Sequence, residues 1–112
     1  MVRFFRKMSE KKLFNFRDRK IGNTIRAHRH NLGRDYKTLE GFVYNRATEL
    51  FDDDQWISVR HLSNIELGKN TLTIDKLITL ADALEVDPRE LFEEILMIYR
   101  QQEQDHDKSY DI

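Results

Sequence analysis

A chain of 112 residues, 35% of them charged and 39% hydrophobic, can fill one small core and has no room for a second. The absence of cysteine excludes disulfide staples, thiolate metal sites and a cysteine nucleophile, and no segment approaches the roughly 20 apolar residues of a membrane span. Net charge is −1 but unevenly spread: residues 1–20 hold eight cations against two acids, +6, and residues 85–112 hold three cations against nine acids, −6. Lack of cysteine fits a reducing compartment, and no signal-type apolar run follows the basic N-terminus, so the expected location is cytoplasmic.

One proline and four glycines punctuate the chain, and no run alternates as a half-buried strand does. The expected class is therefore all-α. Residues 1–17 read as a basic N-terminal extension. Its Phe4, Phe5, Met8, Leu13, Phe14 and Phe16 are too apolar for a purely solvated tail, so packing on the domain and lying along a polyanion both stay open. The domain proper is expected over residues 18–100. Its first helix runs from about Asp18, a candidate N-cap, to Leu32, with Ile21, Ile25, His28 and Leu32 on one face. Asp35 is a candidate cap for the second helix. There Leu39, Phe42, Val43, Ala47, Leu50 and Phe51 keep a 3.6-residue period, so the helix can reach Phe51 before the loop Asp52 to Gln55.

The third helix is the most informative. Ser58 can cap it, and Ile57, Leu62 and Ile65 fall on one side. Arg60, His61 and Asn64, at i, i+1 and i+4, share the opposite side. Gly68 stops the helix, and Lys69, Asn70 and Thr71 follow. Arg and Asn are residue types that read guanine and adenine edges in a major groove, which points to double-stranded DNA as partner. Val59 either touches a thymine methyl or joins the core. Thr71 or Thr73 caps the fourth helix, which carries Leu77, Leu80, Ala81 and Leu84. Asp87 caps the fifth, with Pro88 at its first position and Leu91, Phe92, Ile95 and Leu96 along it. Phe92, Leu96 and Tyr99 belong either to the core or to a dimer contact. Residues 101–112 form an acidic tail expected to be disordered.

Taken together, Ile21-Gly22…Ile25-Arg26…Arg29…Gly33, then Ile57-Ser58…Leu62-Ser63…Ile65-Glu66…Gly68, then Asn70…Leu77…Leu80-Ala81…Ala83-Leu84…Val86…Leu91 resemble the Xre-type, phage-repressor-like helix-turn-helix family. The resemblance covers about residues 21–92. It implies a compact, lambda-repressor-like bundle of five helices whose third helix enters the major groove, as a homodimer on a palindromic operator. It implies base contacts from Val59, Arg60, His61 and Asn64, and phosphate contacts from Tyr36, Lys37, Ser58, Lys69, Asn70 and Thr71. It also pairs Glu66 with Arg29 as a structural ion pair.

Three positions depart from the family pattern. Tyr36 stands where a Gln usually follows the second helix's cap, and His28 stands at an apolar position, as a partly buried structural residue. The spacing from Asp35 to Gly68 is 33 residues, about a dozen more than usual, so the second helix and its turn are lengthened. Asp52, Asp53 and Asp54 would be repelled by phosphate, which turns residues 44–55 away from DNA and offers them to a protein partner. The four histidines show no metal-ligand spacing, and no catalytic constellation stands out, so neither cofactor, metal nor enzymatic activity is expected. The implied function is a sequence-specific transcriptional regulator, a repressor acting by operator occupancy. The alternative is a protein-interaction module such as an antitoxin or an antagonist of another regulator.

Overall fold

The structure, a computed structural model, describes residues 2–110, with side chains described over residues 16–101. The described residues form five α-helices and no strand: α1 Val2–Asn31, α2 Leu39–Arg46, α3 Val59–Glu66, α4 Ile74–Ala83 and α5 Pro88–Tyr110. A 3-10 turn, Arg34–Tyr36, precedes α2, and a π-helical turn, Ala47–Phe51, prolongs it.

Three boundaries differ from the sequence expectation. Asp18 caps nothing, because α1 is already helical from Val2. No proline or glycine interrupts residues 2–21, so nothing forces a start at Asp18. Phe16 is 58% exposed, and the other apolar side chains expected to pack in the extension lie outside the described side chains. Asp35 is not the cap of α2 either. The 3-10 turn uses up Arg34 to Tyr36, and Thr38 takes the role, its Oγ1 accepting from the Gly41 N–H at 3.0 Å. Leu39, not Tyr36, is thus the residue after the cap, and the distance to Gly68 shortens from 33 residues to 30. Finally, residues 101–110, expected to be disordered, continue α5 as helix. They contain no breaker and several good helix formers. Residues 111–112 lie outside the description.

Helix α1 ends where Gly33 takes φ 119°, a conformation that costs glycine little. The second helix does reach Phe51, though its last turn is π-helical and ends on Asp52 in the left-handed region at φ 50°. Phe42, Ile25, Leu62, Ile65, Leu80 and Leu91 are the largest fully buried side chains and come from all five helices. Helices α1 and α3 touch at Gly22, where a Cβ would sit 2.3 Å from the Glu66 carbonyl oxygen. That contact seats α3 against the core, because any larger residue would hold the two helices apart. Trp56 closes the lengthened connection onto the domain. Its ring packs between Phe42, at 5.9 Å, and Phe51, at 4.6 Å, and its indole N–H donates to the Val43 carbonyl at 3.0 Å.

Candidate nucleic-acid interface

Helix α3 is fixed at both ends by its own sequence. Ser58 adopts an extended cap conformation, and its Oγ accepts from the His61 N–H at 3.0 Å. Ile57 before the cap and Leu62 one turn on are both buried in the core, a hydrophobic staple that sets the entry angle. At the other end the Lys69 N–H donates to the Asn64 carbonyl at 2.8 Å and the Gly68 N–H to Ile65 at 3.1 Å, with Gly68 at φ 77°. This is a Schellman ending, which needs a residue tolerant of the left-handed region. Gly68 is required a second time, since a Cβ there would lie 2.7 Å from the Arg19 backbone nitrogen.

With the helix held so, Leu62 and Ile65 are buried and Arg60 is exposed, while His61 and Asn64 are half-buried. Val59 is half-buried against the core, which separates it from that group and leaves its methyls engaged in packing. The Asn70 side-chain amide lies 3.5 Å from His61 Nδ1 and donates to it when that nitrogen is unprotonated. One candidate base reader and one candidate phosphate contact are therefore tied across the end of the helix. Lys69 and Thr71 are exposed beside them. These residues place two cations, an imidazole and two amides on α3 and the segment that follows it, donor-rich groups of the kinds that meet base edges and phosphate oxygens.

Arg29 and Glu66 hold α3 to α1. Arg29 Nε and Nη2 each donate to a Glu66 carboxylate oxygen at 2.8 Å, a two-point pair between residues 3% and 7% exposed. Arg29 Nη1 donates to the backbone carbonyls of Tyr36, at 3.0 Å, and of Lys37. One guanidinium thus fixes α1, α3 and the 3-10 turn. The Lys37 side chain is exposed. Tyr36, expected at a phosphate, makes a different contact. Its one O–H donates to the Glu49 carboxylate at 2.9 Å, and that bond, with some desolvation, raises the phenol above its ordinary value of 10.0. A hydroxyl already committed beside a carboxylate is poorly placed to donate to a phosphate.

His28 is the partly buried structural residue expected, but its partner, and Arg46 altogether, were not found in the sequence. His28 Nε2 pairs with Glu94 at 2.9 Å, linking α1 to α5, and 66 residues of separation leave no local signal for it. Arg46 is 6% exposed, stacks over the Tyr36 ring at 4.6 Å and pairs with Glu49 at 3.4 Å and Glu85 at 3.7 Å. Only its i,i+3 spacing to Glu49 was visible beforehand. Among the described residues no helix is long and apolar enough to cross a membrane.

Residues 53–91 match the family model described as Helix-turn-helix. No curated protein and no solved structure matches the chain. The matched segment holds α3, α4 and the start of α5; α1, α2 and most of the lengthened connection fall outside it. This segment, about a third of the chain, is similar to the Xre/Cro/CI-like helix-turn-helix proteins, a family of DNA-binding transcription regulators.

Proposed function

We propose that the protein is a sequence-specific repressor that acts as a homodimer by occupying its operator. The observation that carries this reading is the strip on α3 where Arg60, His61 and Asn64 lie opposite the buried Leu62 and Ile65. In this reading Arg60 donates in two places to guanine, and Asn64 exchanges a donor and an acceptor with adenine. His61 contacts a neighbouring edge. Ser58, Lys69, Asn70 and Thr71 meet the phosphates on either side, with Lys37 at the edge of the footprint. The DNA-binding domain is residues 18–100, a boundary that falls inside α1. Occupancy needs no catalysis, cofactor or metal, so the protein is not an enzyme, and it works in the cytoplasm on the nucleoid. Dimerisation is supported by the exposed Ile74 and Phe92, which line an apolar groove of about 240 Å³ bordered by α1, α4 and α5, with the exposed Ile78 also on α4. Selection of bound duplexes from a random DNA library tests the reading. An enriched motif with two-fold symmetry is expected. The absence of any enriched motif would promote the interaction module, whose surface would be residues 44–55.

A further inference from the structure

The lengthened connection builds a surface with no counterpart in the DNA-reading strip. The π-helical turn and the α4–α5 junction enclose an open cleft of about 820 Å³. Leu50 and Val86 line it with apolar atoms, and Leu50 is 50% exposed. Asp82, Glu85 and Asp87 stand around them, with Arg89 the single cation among the lining residues. Asp52, Asp53 and Asp54 follow directly in the chain and are all exposed. Such a cleft fits a segment that combines apolar anchors with a dense positive charge.

The chain itself contains one. Within +6 residues 1–20, Arg3, Arg6 and Lys7 interleave with Phe4, Phe5 and Met8. A molecule's own head cannot reach its own cleft while α1 stays helical. Arg17 lies over the Tyr99 ring at 4.1 Å, and His28 pairs with Glu94 at 2.9 Å. Running toward its N-terminus, α1 therefore runs toward the C-terminal part of α5. The cleft sits at the other end, by Pro88. Each helical residue before Arg17 adds about 1.5 Å in the wrong direction.

We propose that the cleft is a docking site for the basic head of a second copy of this chain. Two copies that exchange heads form a closed, two-fold pair, and one that receives a head without returning its own extends the assembly. The contact weakens as salt screens it, and duplex DNA competes for the head.

The test uses a fluorescently labelled synthetic peptide of residues 1–17. It is titrated into the full chain carrying Arg3→Gln, Arg6→Gln and Lys7→Gln, so that the receptor's own heads do not compete, and read by anisotropy at low and high salt. Saturable binding at low salt is expected. Adding Leu50→Lys or Asp82→Lys, both at exposed positions and checked for unchanged melting, should each weaken it roughly tenfold, as loss of an anchor does. No saturable binding overturns the proposal. So does equal affinity for the receptors with and without the cleft substitutions, which would mean that the peptide follows net charge alone or sits elsewhere. No DNA is present in either arm, so failure here leaves the operator-binding reading untouched.

Discussion

Replacing Glu66 by Gln keeps the side chain's shape and one acceptor but removes the charge that faces a guanidinium only 3% exposed. Breaking a buried ion pair by changing one partner costs about 3–5 kcal/mol, because the other charge is stranded away from water. Arg29 retains the Tyr36 and Lys37 carbonyls, and the Gln oxygen still accepts one of the two 2.8 Å bonds. We therefore expect the low end, about 3 kcal/mol. With a urea slope of about 2 kcal/mol per molar, the denaturation midpoint should fall by about 1.5 M. The double variant Arg29→Met with Glu66→Leu removes both charges and should recover much of the loss, since apolar replacement of a buried pair is often neutral. Operator preference should not change once the variant is folded, because neither residue lies on the exposed strip of α3. The measurement is urea unfolding, followed by circular dichroism, of Glu66→Gln and of the four proteins of the cycle: wild type, the two single losses Arg29→Met and Glu66→Leu, and the double variant. A Glu66→Gln midpoint equal to wild type, or a double variant as unstable as the two single losses summed, would refute the stranded-charge argument.

Gly22→Ala sets a helix-propensity gain of about 1 kcal/mol against overpacking of about 1–3 kcal/mol. The atoms met are the Ile65 and Glu66 backbone carbonyls, which cannot rotate aside, so melting should drop; a higher melting temperature would show that α3 can move off at no cost. Burial raises the Asp18 carboxyl above its ordinary value of 3.8, partly offset by Arg17, so its ionisation opposes folding. That contribution to stability is full below the unfolded value and is lost as pH rises through the folded one. Asp18→Asn should therefore be more stable than wild type at neutral pH, with the gap closing below pH 3.8; a gap independent of pH would assign the effect to something other than the proton. Lys69→Ala should weaken binding to all duplexes and make the log–log salt dependence shallower by about one unit, as loss of a single phosphate contact does, whereas an unchanged slope would remove Lys69 from the interface.

The frame of the fold was readable because its signals are local. Ser58, Thr73 and Asp87 each accept a backbone N–H two or three residues on, a pattern written in side-chain type and position. The α3 periodicity was equally plain, since Leu62 and Ile65 lie a turn apart in an eight-residue helix. Asp35 misled because an Asp just after Gly33 looks like a cap. Choosing Thr38 instead depends on a 3-10 turn held by Arg29 from another helix, which is a tertiary fact. Asp18 and residues 101–110 of the tail failed for a related reason: polar, charged sequence without breakers can extend a helix as easily as leave it, and periodicity does not choose. The π-helical turn was out of reach, because it answers to where Trp56 and Phe51 must pack rather than to the residues of the turn. Within the candidate site, the strip on α3 followed from helix geometry. The commitment of the Tyr36 hydroxyl to Glu49 needed the path of the lengthened connection.

The central claim is that Arg60 and Asn64 read bases. The direct measurement takes the duplex enriched from the random library and a scrambled duplex of the same composition. Wild type, Arg60→Ala and Asn64→Ala are titrated against both at one salt concentration. Each substitution should cost about 1–3 kcal/mol on the enriched duplex and much less on the scrambled one. Melting should stay near wild type, because neither side chain belongs to the core. Equal losses on both duplexes, with the fold intact, would contradict the account and make these residues backbone contacts.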